Sequence, residues 1–206
     1  MTLIDTIQNT ERTIKIAILG VGSVGKTTIS RSYTQDPTYL KEVVMTKGVD
    51  IATKKITLNN NKYIVQIWDF AGQKQFRFMI DFFLKGVKGI IYVYDTTDIE
   101  TLFYLDEFLE VTRDFFGKSG YENIPEILVG NKIDSDETET EIEDIYSFME
   151  RNNIKKHYFV SGIMGENVSE PFTDIINEIV KDCNNSKSDY YITQNQYLSK
   201  IINGWM

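Results

Sequence analysis

The stretch Gly20-Val21-Gly22-Ser23-Val24-Gly25-Lys26-Thr27 constrains this chain more than any other, because it has the spacing G-x-x-x-x-G-K-[ST]. Its context matters as much as its spelling. Ile14-Lys15-Ile16-Ala17-Ile18-Leu19 alternates and then runs apolar, as a buried strand does, and Thr28 to Tyr33 can continue as a helix. Glycines let the backbone curl and present its N–H groups to a phosphate, and the helix N-terminus adds the positive end of its dipole. The reading is a nucleotide phosphate site built from Gly22, Ser23, Val24, Gly25, Lys26, Thr27 and Thr28. Lys26 would reach the β- and γ-phosphates, and the Thr27 hydroxyl would coordinate Mg²⁺. The competing reading is a glycine turn in an unrelated αβ unit, which the strand–loop–helix order disfavours.

Composition narrows the rest. A chain of 206 residues, 42% hydrophobic and 25% charged, suits one compact domain with short extensions. A net charge of −8 argues against a nucleic-acid partner, which needs a basic stripe. No apolar run approaches a membrane span, and the first residues lack a signal-peptide pattern. Cys183 is the single cysteine, so no intramolecular disulfide forms and a reducing compartment, the cytoplasm, is expected.

Along the chain, residues 1–12 read as an arm with a small apolar cluster of Leu3, Ile4 and Ile7. A strand from about Thr13 to Leu19 feeds the glycine loop and a helix that Asp36-Pro37-Thr38 ends. Val49–Leu58 and Tyr63–Trp68 flank the turn Asn59-Asn60-Asn61 and predict an antiparallel hairpin. A possible helix runs through Lys85, then strand Gly89–Tyr94 ends at Asp95. Helical spacing over Leu102–Phe116, strand Ile127–Val129, a helix over Glu141–Arg151, strand Tyr158–Val160 and a helix from about Val168 to Cys183 complete the pattern. Strands alternating with helices imply an α/β fold with helices on both faces of a mostly parallel sheet and one antiparallel edge strand. The expected architecture is the three-layer P-loop NTPase fold with six strands. Ligands in such sheets bind at the carboxyl ends of the strands.

Polar motifs fall at those ends. Asp69 closes one strand and begins Asp69-Phe70-Ala71-Gly72; an aspartate there can hold Mg²⁺ through a water, while the Gly72 N–H approaches the γ-phosphate. Alone the pattern is weak, since a strand-ending aspartate also caps turns. Asn131-Lys132-Ile133-Asp134 follows Ile127-Leu128-Val129-Gly130. A carboxylate at Asp134 can accept two hydrogen bonds from guanine N1–H and N2–H₂, a donor pair that adenine lacks.

The ordered set GxxxxGKT, WDxAGQ and NKxD resembles the Ras-like small GTPases over roughly residues 13–183, leaving 184–206 as a C-terminal extension. The spelling Thr46-Lys47-Gly48-Val49-Asp50 looks most like the first switch of the Rab branch, with Lys47 in place of the usual apolar residue. The resemblance implies a GTP-hydrolysing switch, in trafficking or signalling, with GTP or GDP as ligand and Mg²⁺ as cofactor. It implies that Thr46 ligates Mg²⁺ and senses the γ-phosphate, and that Gln73 orients the attacking water. Gly22 would leave room for that glutamine, and Tyr39 would cover the guanine or ribose edge. Lys132 would lie along the base plane, Asn131 would tie loops together, and Ser161 and Gly162 would complete the base site, Gly162 N–H reaching guanine O6. Two departures stand out: Ser161-Gly162-Ile163 lacks the family's lysine, and Phe70 replaces the usual threonine.

In phosphoryl transfer the protein mainly positions groups and stabilises charge, here through Lys26, Mg²⁺ and the loop amides. The first switch region, Pro37 to Gly48, contains no arginine, so slow intrinsic hydrolysis accelerated by an activating protein is expected. An exchange factor and an effector are expected too, on a monomeric switch. Two rivals stay open: an interaction module that binds guanine nucleotide but scarcely turns it over, and an ATP-binding P-loop protein, which Asp134 disfavours.

Outside the site, His157, the only histidine, reads as structural, and Glu137 to Glu143 as a solvated stretch. Tyr190, Tyr191, Gln194, Tyr197, Leu198, Ile201, Ile202 and Trp205 recur at helical spacing, giving an amphipathic helix that packs on the domain or binds a partner or membrane. Asn203 stands where a C-a-a-X cysteine would, and Thr2 excludes myristoylation, so no lipid anchor is readable.

Overall fold

The computed structural model describes residues 11–36, 48–71, 80–121 and 123–181. Among them six strands form one sheet: β1 (Arg12–Leu19), β2 (Val49–Leu58), β3 (Asn61–Phe70), β4 (Gly89–Asp95), β5 (Glu126–Asn131) and β6 (His157–Val160). The helices are α1 (Lys26–Thr34), α2 (Ile80–Leu84), α3 (Glu100–Phe103), α4 (Leu105–Tyr121), α5 (Ile142–Asn152) and α6 (169–181). The strand order is β2-β3-β1-β4-β5-β6, with every pairing parallel except β2 with β3.

Period-two burial sorts the strand residues into two cores. Ile14, Ile16 and Ile18 of β1 face α1 and α6, packing with Ile29, Tyr33, Phe172 and Ile176. Ala17 and Leu19 face the other layer, with Tyr92, Leu105, Phe108 and Phe148. Every residue of β4 is buried, as a central parallel strand covered on both faces requires. The sheet thus has the expected three layers.

Local chemistry moves three boundaries. The hairpin turns on Asn59 and Asn60 alone, at φ +50° and +60°, and Asn61 already pairs with Leu58. Two consecutive left-handed residues make the tight turn whose twist suits adjoining strands, and asparagine tolerates that conformation. Helix α1 ends at Thr34, before Asp36-Pro37, because Gln35 turns left-handed (φ 58°) and the Gln35 and Asp36 amides close back on Ser32 and Arg31. The helical spacing after β4 is divided between the short α3 and the longer α4.

At the end of the sheet opposite the strand carboxyl termini lies a cleft of about 680 Å³, lined by Arg113, Glu126, Arg151 and Lys156 among others. Three of its cations are engaged within the fold: Arg151 with Asp106, Lys156 with Asp174 and Glu178, and Arg113 with Asn152; Lys155 also lines it. Among the described residues, Lys26, Thr27, Asp69, Asn131, Lys132, Asp134 and Ser161 gather at the other end.

Candidate nucleotide site

The glycine loop leaves β1 where the strand order reverses, between β3 on one side and β4 on the other, the crevice where open α/β sheets bind ligands. Two glycines are required there. Gly20 (φ +152°) passes so close to β4 that a Cβ would lie 2.3 Å from the Val93 carbonyl oxygen. Gly25 (φ +93°) caps α1, and a Cβ on it would lie 2.2 Å from Asn131 Nδ2. Ser23 is left-handed without being glycine (φ 68°), and a Cβ on Gly22 would meet nothing within 4 Å among the described residues.

Lys26 folds back over this loop. Its Nζ donates to the carbonyls of Gly20 at 2.9 Å and Val21 at 2.7 Å, and the side chain is buried. Burial pushes its ammonium down to about 8, while the Asp69 carboxylate pulls the other way. Beside it the Thr27 hydroxyl donates to Asp69 Oδ2, joining the first turn of α1 to the end of β3, with both residues buried. A hydroxyl and a carboxylate side by side at a helix N-terminus are the hard oxygen donors that suit Mg²⁺.

A second cluster lies at the ends of β5 and β6. Asn131 Nδ2 donates to the Val24 carbonyl at 2.8 Å, and its Oδ1 accepts from the Gly162 amide at 2.9 Å. One buried side chain therefore clamps the phosphate loop and the loop after β6. The Gly162 amide, expected from the resemblance to reach guanine O6, donates to Asn131, so a base oxygen would share it. Ser161 Oγ donates to Asp134 Oδ1 at 2.5 Å and accepts from the Met164 amide at 3.1 Å, which fixes the carboxylate's aim. Ile163, where the family has lysine, is exposed.

Lys132 has a left-handed backbone (φ 74°), and its Nζ pairs with Asp95 Oδ2 at the end of β4. Asp95 in turn accepts from the Thr97 amide at 3.0 Å and hydroxyl at 2.7 Å. Sequence reasoning placed Asp95 at a strand end but gave it no role; its position at a carboxyl end was the available signal. Phe70 is buried against Phe83 of α2, ring centroids 6.1 Å apart, so its aromatic ring serves the core. Thr28 is half-buried within α1. Tyr39, Thr46, Gly72 and Gln73 lie outside the described residues, as do Cys183 and the tail.

His157 is mostly buried, with Nε2 3.0 Å from the Tyr94 hydroxyl, and burial pushes it down to about 4. Among the described residues no group of three or more His, Cys, Asp or Glu side chains could hold a metal.

A parallel sheet in this order, with a glycine-rich loop and a helix start at its switch point, is the architecture of a P-loop nucleotide-binding protein. The Ras family model matches residues 15–181. Among curated proteins, Ras-related protein Rab-18-B of Danio rerio is 33% identical over 142 residues, covering 69% of this chain and 67% of its own. Ras-related protein Rab-18 of Lymnaea stagnalis is 31% identical over 173 residues, covering 82% and 81%. GTP-binding protein yptV5 of Volvox carteri is 36% identical over 123 residues, 60% of each chain. The chain belongs to the Ras family. It is a small GTPase on the Rab side of that family, a GTP-binding and GTP-hydrolysing switch.

Proposed function

We propose that residues 20–28 hold the nucleotide phosphates and that Asn131, Lys132, Asp134, Ser161 and Gly162 read guanine. The observation that carries this is the Asn131 clamp, which brings the phosphate loop and the base loops to one crevice. Lys26 offsets phosphate charge. Thr27, Thr46 and, through water, Asp69 hold Mg²⁺, and the contact between Thr27 and Asp69 supports that donor set. When bound, the ion neutralises charge on the β- and γ-phosphates. Gln73 orients the attacking water and Tyr39 covers the guanine or ribose edge, roles supported by the motif spelling.

Residues 13–183 form the GTPase domain, with 1–12 an arm and 184–206 an extension. The protein acts as a cytoplasmic monomer, regulated by an exchange factor and an activating protein and read by an effector. Likeness to Rab-named relatives supports a place in membrane trafficking. Intrinsic hydrolysis runs on the order of 10⁻⁴ to 10⁻² per second, with the arginine supplied in trans. Two variants test the assignment. Asp134→Asn should shift preference from guanine toward xanthine nucleotides, and Gln73→Leu should abolish stimulated hydrolysis. Unchanged base preference in the first would overturn the reading of Asp134.

A further inference from the structure

The β6 strand that delivers Ser161 and Gly162 to the base site is weakly held by its own ladder. It has four residues, His157–Val160, and among the described residues it pairs on one side only, with β5. Its last residue, Val160, pairs with Asn131, so any slip of β6 moves the two base loops relative to each other. A side chain from two strands away supplies the missing hold. Tyr94 of β4 lies in register with Gly130 of β5, and His157 of β6 lies in register with Leu128, two residues back on the same face. The Tyr94 ring crosses over Gly130 to put its hydroxyl 3.0 Å from His157 Nε2, with the two rings stacked at 5.9 Å between centroids. Glycine at 130 is what permits the crossing, since a Cβ there would lie 2.6 Å from the Tyr94 hydroxyl oxygen. On its other side the His157 ring meets Phe159 edge-on at 4.5 Å.

We propose that Tyr94 and His157 form a cross-strand tie that positions the guanine-reading carboxylate, acting through β6 and the Ser161–Asp134 hydrogen bond. This rests on the reading of Asp134 as the group that accepts from guanine. The tie begins at Tyr94, which is fully buried, and sits one residue behind Asn131, so it touches no nucleotide; both residues are positioning residues. Losing it leaves the phosphate loop as it was and lets the Ser161–Asp134 pair drift. Loss should therefore register against the base and not against the phosphates.

The test compares release of GDP and of inosine diphosphate, which lacks the 2-amino group that Asp134 would accept from. Release of each is followed by chase from the full-length protein. Wild type should hold GDP longer than IDP. Tyr94→Phe should speed GDP release by about three- to tenfold, the scale of one buried hydrogen bond, and lower the GDP-to-IDP preference. His157→Leu should do the same, while His157→Gln, which can still hydrogen-bond the tyrosine, should retain most of the preference. A faster release with unchanged preference would make the pair ordinary core packing and overturn the tie. So would an unchanged rate in both Tyr94→Phe and His157→Leu. A wild type that does not distinguish the two nucleotides would overturn the reading of Asp134 itself, and the tie with it.

Discussion

Asn131 and Val24 are 107 positions apart in the chain, yet the Asn131 side-chain amide donates to the Val24 carbonyl at 2.8 Å inside the protein. The contact fastens the end of β5 to the phosphate loop, and the same amide's oxygen receives the Gly162 N–H. One side chain thereby joins the phosphate loop to the loop after β6.

Asn131→Ala would strand two buried polar groups, the Val24 carbonyl and the Gly162 amide. An unsatisfied buried group costs about 1–3 kcal/mol, so GDP release should accelerate roughly ten- to hundredfold. Chase of fluorescent GDP measures this, and a change within about twofold would show that the clamp does not govern release.

Gly25 and Gly22 should behave oppositely. Gly25→Ala places a methyl group 2.2 Å from Asn131 Nδ2 at a left-handed residue and should cost at least tenfold in GDP affinity, as loss of the clamp would. Gly22→Ala enters open space among the described residues and should bind GDP as wild type does. Titration of both variants with GDP checks the contrast, and equal losses would refute it.

Lys26 gives the site a pH signature. Burial holds its ammonium near 8 in the protein alone, and adjacent phosphates would raise it. GDP binding should then take up almost no proton at pH 7 and approach one proton at pH 9, with affinity falling by up to about tenfold per pH unit above 8. Calorimetry in buffers of different ionisation enthalpy reads the uptake directly. Lys26→Met should remove it; wild-type uptake that is equal at both pH values would contradict the assignment.

His157 acts on stability instead. Its folded-state value near 4 lies below the ordinary 6.5, so the folded form binds fewer protons. The contribution is complete above pH 6.5 and fades as pH falls toward 4, on the order of 3 kcal/mol in all. Carboxylates titrate in the same range, so the informative quantity is wild type minus His157→Gln. That difference should shrink between pH 6.5 and 4 in urea melts; a flat difference would argue for a different environment around the ring.

Much of this was legible in sequence because phosphate chemistry leaves short, rigid spellings. Gly25 must be glycine for the loop to approach Asn131, and Asn131 must end a strand to reach Val24. Both demands appear as letters at fixed spacing. Period-two alternation at the start of β1 and the continuous apolar run of β4 likewise disclosed which strand faces are covered. Contacts made by side chains crossing between strands left no such trace. Asp95 paired with Lys132, and Tyr94 passing over Gly130 to His157, depend on register between parallel strands joined by long crossovers. The competing acceptor for the Gly162 amide, Asn131 Oδ1, was hidden for the same reason. Helix α1 stops before its proline because the exposed Gln35 takes a left-handed turn and the Gln35 and Asp36 amides close back on Ser32 and Arg31, a cap that the proline alone did not disclose.

We propose a slow, glutamine-dependent GTP switch. Identifying the nucleotide that co-purifies with the protein, then following a single turnover of loaded GTP with Mg²⁺, tests it most directly. Such a switch should carry bound GDP and hydrolyse GTP on the order of 10⁻⁴ to 10⁻² per second, a rate that Gln73→Leu slows further. Bound GTP that persists unhydrolysed, or turnover faster than about one per second without any partner, would contradict it.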